Sequence, residues 1–356
     1  MKRLLVASSV ACLAMVASAC GGNSSSEGSA STGALPDTVT VGALLPLTGP
    51  GADTGQQMLT GLELWAEDFN KSAKDKGLPE VKIASADSEA DASTGIQAYQ
   101  QLKSQSKVEL VYSTYTNVGT AVAPFATRDK VAAMQAAQGN ITPELGPTFT
   151  QALPSEKSEF EATIPEAVKA GAKRIAAVVI KNDKAYHDEA ETLKTDTCPK
   201  EGCEIVKVVE EEPDGSDGKL AAIQALSSKP DAIVVWGTYV QTGPVLQQLR
   251  TAGFSGLILS DAGFDETVAK AGTGNASVQN AIFPRFYVDM DKRETKEFFK
   301  EYEAKRKTEP LGYATEAYVG GQLIGAAIEY MDEEKLAWTG PNIVKAQLAV
   351  VDFRTS

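Results

Sequence analysis

The chain has 356 residues, with 47 acidic side chains against 34 basic ones and a formal net charge of −13. An excess of negative charge of this size argues against nucleic acid or an anionic lipid surface as partner. The length is more than one hydrophobic core holds and predicts two domains.

The chain opens with an export address. Lys2 and Arg3 make a basic start, and Leu4 to Val16 is an apolar run broken only by Ser8 and Ser9. Ala17, Ser18 and Ala19 then precede Cys20. A spanning helix needs roughly 20 apolar residues, so residues 1–19 read as a secretory signal instead. A cysteine directly after a small-residue cleavage site resembles a bacterial lipobox, although Ala17 stands where the consensus has leucine. Cys20 is therefore expected to become the first residue of the mature chain and to carry lipid. Loss of Lys2 and Arg3 makes that chain more acidic still. Residues 20–36 are dominated by Gly, Ser, Ala and Thr, too apolar-poor to fold, and predict a flexible tether with a reach on the order of 20–25 Å. No later segment is long and apolar enough to cross a bilayer. The expected location is the outer face of the cell membrane, with lipid as the only membrane contact.

From Thr38 strand-like and helix-like segments alternate. Strand Thr38–Leu47 is followed by helix Gln56–Ser72, in which Met58, Leu62, Trp65 and Phe69 share one face. Strand Val81–Ala86, helix Ala92–Ser104, strand Val108–Ser113, helix Val118–Asp129 and strand Val131–Ala136 follow. This is the rhythm of a parallel sheet covered on both faces. After a turn-rich stretch, Gly139–Pro154, it restarts with helix Glu159–Ala170 and strand Arg174–Ile180, whose IAAVVI run is too apolar for a half-exposed strand. Helix Lys184–Lys194, strand Glu204–Glu210, helix Gly218–Ser228, strand Ala232–Trp236, helix Gly243–Ala252 and strand Leu257–Leu259 continue it. Val278–Val288 reads as a long strand that leaves its sheet at Pro284, since proline cannot donate to a ladder. Helices Arg293–Lys307 and Tyr313–Met331 close the series. The second carries Ala314, Ala317, Gly320 and Gly321, and predicts close packing. Within the restart, Cys198 and Cys203 stand in CPKEGC, a spacing that in an oxidising compartment predicts a loop-closing disulfide. Zinc would lack ligands there, because His187 is the only histidine in the chain. No cofactor is expected.

Ligands of doubly wound sheets sit beyond the carboxyl ends of the strands, so the residues after each strand are the candidates. The turn Leu47–Gly55 fits neither G-x-G-x-x-G nor a P-loop, but it has free amides before a helix start. Ser113-Thr114-Tyr115-Thr116-Asn117 offers a cap, orphan N–H groups and the positive end of a helix dipole, which suit a carboxylate. Ala136-Ala137-Gln138-Gly139 can present backbone. In the second half the strand ends give Asp183 to Tyr186, Trp236 to Tyr239 and Ser260 to Gly263. Asp261, a lone acid beyond an apolar strand, is read as a ligand-facing carboxylate that needs a partner charge.

The run VGALLPLTGPGADTGQQMLTGLELWAEDFN, with NVGTAVAPFA, KNDKAYHDEA and DAIVVWGTYVQTGPVLQQLRTAGFSGLILSD in order after it, resembles the extracytoplasmic solute-binding proteins of branched-chain amino acid ABC transporters. These are type I periplasmic binding proteins. The resemblance spans Asp37 to Met331. It implies two α/β lobes with doubly wound parallel sheets joined by three hinge crossovers: residues 37–155 plus 284–335, and 156–283 plus 336–356. It implies that Thr116 and Asn117 hold a ligand carboxylate, with Ala137, Gln138 and Gly139 as a second contact. Tyr186 and Tyr239 would wall the pocket, and Asp261 would pair with the α-amino group. Thr54 occupies a position where leucine-binding members have tyrosine, which leaves the side-chain preference open; relatives also take urea, amides and aromatic acids. The chain ends where relatives usually continue through a further β segment.

The function implied is capture of a small polar solute, foremost an amino acid, by a monomer that delivers it to ABC permease subunits. A ligand-binding subunit of a sensory system would use the same lobes. An enzyme is disfavoured: G-x-S-x-G, H-E-x-x-H and a close Cys–His pairing are all absent from the sequence.

Overall fold

The computed structural model describes residues 33–355, apart from 50, 137–144, 153–154, 273 and 285–289. The signal, Cys20 and most of the tether lie outside the described residues. The described residues belong to one compact unit, within which two parallel sheets define two lobes.

The first sheet has the order β2-β1-β3-β4-β5. Its strands are β1 (Thr38–Leu45), β2 (Glu80–Asp87), β3 (Leu110–Ser113), β4 (Ala132–Gln135) and β5 (Phe149–Gln151), with helices α1 (Ala52–Lys76), α2 (Ala92–Gln101) and α3 (Thr116–Asp129) between them. The second sheet has the order β10-β9-β8-β6-β7. It contains β6 (Arg174–Ile180), β7 (Glu204–Glu211), β8 (Ala232–Val235), β9 (Leu257–Leu259) and β10 (Ala281–Ile282). Its helices are α4 (Glu156–Lys169), α5 (Lys184–Thr192), α6 (Cys198–Glu201), α7 (Gly218–Leu226), α8 (Tyr239–Thr251) and α9 (Phe264–Ala271). Three further helices, α10 (Arg293–Arg306), α11 (Gly312–Glu333) and α12 (Gly340–Thr355), complete the chain. Every strand pairing is parallel. In each sheet the order reverses direction at its first strand, between β1 and β3 and between β6 and β8. Those two reversals place the crevices where a ligand can enter.

The strands are buried because both faces are covered by helices. Ile175 to Val179 of β6 are fully shielded from solvent, which explains the unbroken apolar run. The first lobe is sealed by the seam between α1 and α11. Here the small residues of α11 are a steric requirement: a Cβ on Gly320 would lie 2.6 Å from the Tyr112 ring, and one on Gly321 would enter the ring of Trp65. Gly61 on α1 meets the backbone of Ala314 in the same way.

Four expectations need revision. The stretch expected to be turn-rich holds a strand, β5, which carries no run of alternating or continuous apolar residues and pairs only through three residues beside β4. The long strand expected over 278–288 is a 3-10 turn at Ala276–Val278 followed by the two-residue β10. Residues 336–356 were expected with the second lobe, yet α12 packs on α11 and β4. Ile343, Val344 and Ala346 belong to the first lobe's core, and Thr150 donates to Gln347 at 3.1 Å. Among the described residues the chain thus passes between lobes twice, after β5 and after β10. Finally, Cys198 and Cys203 are buried, unbridged thiols. The loop they were expected to close is already closed by backbone: Gly202 adopts φ 83° as a left-handed cap, and the Cys203 N–H donates to the Cys198 carbonyl at 2.9 Å. No helix among the described residues is long and apolar enough to cross a membrane.

Candidate functional site

A cavity of about 110 Å³ lies between the lobes, at the carboxyl ends of the strands flanking both reversals. By the volume one water needs, it has room for roughly seven to eleven water-sized groups. That suits a small organic solute.

The first lobe contributes Thr54 from the first turn of α1, Thr114 to Thr116 after β3, Ala136 after β4, and Tyr313 and Glu316 from α11. The β3–α3 junction is held open toward the cavity by strain. Tyr115 has φ 65° and ψ 118°, an uncommon conformation for a residue with a side chain. Its carbonyl is pinned by the Gln135 amide at 2.9 Å, and Thr114 donates to the Ala136 carbonyl at 2.7 Å. This turns the first residue of α3, Thr116, into the cavity, where the helix's orphan N–H groups and dipole favour an anionic group.

The second lobe contributes Glu156 from α4, Ile180 at the end of β6 with Asp183, Ala185 and Tyr186 beyond it, Gly237, Thr238 and Gln241 after β8, and Asp261 and Gly263 after β9. Gly237 needs its backbone freedom, with φ 102°. Asp183 caps α5 by accepting from the Ala185 N–H at 3.0 Å. Gln241 is occupied with Thr238 in a capping box at the start of α8. Asp261 is 2% exposed and accepts from the Gly263 N–H at 2.9 Å, while the Ala262 N–H donates to Glu159 at 3.1 Å. Tyr186 lies against the buried Trp236, ring centroids 5.9 Å apart, and Phe160 backs Trp236 edge-on.

Burial dominates the electrostatics. It pushes Asp261 well above the usual carboxylate range, aided by Glu159. It does the same to Glu156, aided by Asp261 and Asp183. Glu316 is pushed up to about 8 by burial, then by Glu159 and Asp261. No group of three or more His, Cys, Asp or Glu side chains among the described residues is placed to hold a metal ion.

Of the residues expected at the site, Thr54, Thr116, Tyr186 and Asp261 line the cavity. Two do not. Asn117 follows Thr116 in α3, about 100° further round the helix, and donates to the Ala90 carbonyl at 2.9 Å. Tyr239 is the first residue of α8, 37% exposed, and lies over Gly243 outside the cavity. Ala137, Gln138 and Gly139 lie outside the described residues. The turn before α1 uses its Leu47 and Thr48 N–H groups on Asp87, at 2.8 and 3.3 Å, so these amides meet a resident carboxylate instead of a ligand. Glu156, Tyr313 and Glu316 were not anticipated. Nothing in their local sequence marks them, because helix position alone does not say which turn faces a cleft.

These lobes and their cleft define a solute-binding protein of the hinged, two-lobed kind. A sequence profile of the periplasmic binding protein family matches residues 38–347, and the chain belongs to that family. Its members bind solutes outside the cytoplasm and are not enzymes. None of the curated proteins matches in sequence. Solved structures share the fold. A leucine-binding protein, LivK, of Thermotoga maritima is 20% identical with a TM-score of 0.72, covering 87% of each chain. An ABC transporter solute-binding protein of Rhodopseudomonas palustris, in complex with 3,4-dihydroxybenzoic acid, is 22% identical with a TM-score of 0.73, covering 87% of this chain and 85% of that one. The branched-chain amino acid binding protein LivJ of Streptococcus pneumoniae, in complex with isoleucine, is 20% identical with a TM-score of 0.69, covering 87% of each.

Proposed function

We propose that this protein is the lipid-anchored solute-binding subunit of an ABC importer, and that it captures one small amino acid between its lobes. The observation that carries this reading is the opposition of two poles across one cavity between the lobes. On the first lobe, Thr116 and the start of α3 suit a carboxylate. On the second, Asp261 suits an ammonium group. Contacts made only when both poles are satisfied shift the lobes toward the closed arrangement, which a permease then recognises. Ile180, Ala136 and Ala185 supply the aliphatic surface that a branched-chain side chain would use; LivK and LivJ are described as binding leucine and isoleucine. Cys20, as the lipidated first residue, keeps the monomer at the membrane, within reach of the permease.

The test is a thermal-shift screen with amino acids, amides, urea and aromatic acids, because a tight ligand raises stability by mass action. At least one amino acid should raise Tm and alter Trp236 emission through Tyr186. Asp261→Ala should abolish that response while its circular dichroism spectrum stays unchanged. A panel without any shift, or an unaltered response in Asp261→Ala, would refute the reading.

A further inference from the structure

The cavity wall holds more negative charge than one amino group needs. Glu156, Asp183, Asp261 and Glu316 all line it, and among the described lining residues there is no Lys, Arg or His. Asp183 and Asp261 each accept a backbone N–H. Glu156 and Glu316 are different. They are 4% and 7% exposed, and the Oε2 atom of each has no hydrogen-bond partner. A buried carboxylate oxygen without a partner is costly, and a ligand that supplies the partner recovers that cost. The two stand on opposite lobes, Glu156 on α4 and Glu316 on α11, and both line the cavity, so one solute that spans it can partner both. Among the described residues no group of three or more His, Cys, Asp or Glu side chains is placed to hold a metal ion. Tyr186 and Tyr313 border the same space and offer aromatic faces to a cation.

We propose that the solute is a net cation, a basic amino acid or short aliphatic diamine, whose second ammonium group is held by Glu156 and Glu316. This rests on the reading of the cleft as a solute site and narrows it: the ligand is set by charge, and the aliphatic patch around Ile180 contacts the methylene chain between the charges. In the absence of such a ligand burial holds both acids toward their neutral form. A bound ammonium group restores their charge.

The experiment is calorimetric titration of the purified chain with L-lysine, L-ornithine, putrescine, L-leucine, L-isoleucine and benzoate. At least one of the first three should bind about tenfold or more tightly than any of the last three, as desolvated charge pairs predict. Glu156→Gln and Glu316→Gln should each weaken the best cation by about tenfold or more. Thermal melts monitor folding, and because the two positions lie on different lobes, failure of one variant to fold leaves the other to decide. Leucine, isoleucine or benzoate binding as tightly as every cation overturns the inference and leaves the solute-binding reading standing. A cation that binds equally well to the wild type and the folded variants also overturns it. An inert panel overturns both.

Discussion

Glu211 is 1% exposed at the end of β7, and neither carboxylate oxygen has a hydrogen-bond partner. Burial, and to a lesser degree Asp217, pushes its carboxyl up to about 8 from an ordinary value near 4.5. The folded state thus holds a proton that the unfolded chain has released across that interval. The contribution is fully present below about 4.5 and is lost as pH rises through 8. Melting of the ligand-free protein should fall between pH 5.5 and 8.5, and Glu211→Gln should flatten that slope and raise Tm at pH 8 by about 3 °C or more. An unchanged slope in the variant would show that Glu211 is hydrated. The same physics separates residues that could be recognised in advance from those that could not. Asp261 stood out as a lone acid after an apolar strand, and Thr116 as a helix start. Glu156 and Glu316 looked like ordinary helix-surface acids, because helix position alone does not say which turn faces a cleft.

At the scale of elements, the decisive contact is the α1–α11 seam. Gly61, Gly320 and Gly321 bring the two helices close enough for Trp65 and Tyr112 to fill the space between helix and sheet. Gly321→Ala should lower stability by about 1–3 kcal/mol, the usual range for overpacking a filled core, with the far-UV spectrum preserved. Loss below 0.5 kcal/mol in denaturant titrations would mean the Trp65 ring can step aside. The small residues of α11 announced tight packing, and their partner helix was not named by any local pattern. Element boundaries inside the parallel sheets were legible for a related reason. Strands buried on both faces must be continuously apolar, as in β6. Edge strands carry no such constraint, so β5 and β10, at the margins of their sheets, escaped or were overextended.

For the molecule as a whole, the feature that matters is closure. Asp53 on α1 pairs with Lys270 on α9 at 2.8 Å, bridging the lobes, and Arg306 approaches the same carboxylate at 3.9 Å. Both partners of the bridge are well exposed, at 46% and 39% of their side chains. Such a pair is worth about 0–1 kcal/mol, enough to bias closure but not to enforce it. Lys270→Ala should therefore weaken ligand affinity by about two- to fivefold, chiefly through faster release, and the difference should shrink in 1 M salt. A loss of a hundredfold would instead place Lys270 among the residues that hold the ligand.

Sequence by itself determined the repeating strand–helix order, the two sheets with their crevices at the strand ends, and a few of the groups that face the cleft. Local backbone preference and the rule that doubly covered strands be apolar act over short distances, and short distances are what a sequence displays. Tertiary structure decided the rest. It assigned α12 to the first lobe, turned Asn117 and Tyr239 away from the cavity, and brought Glu316 of α11 and Glu156 of α4 to one cavity. Those outcomes depend on helix phase and on which surfaces shut out water when the lobes meet, and neither quantity exists until the chain is folded.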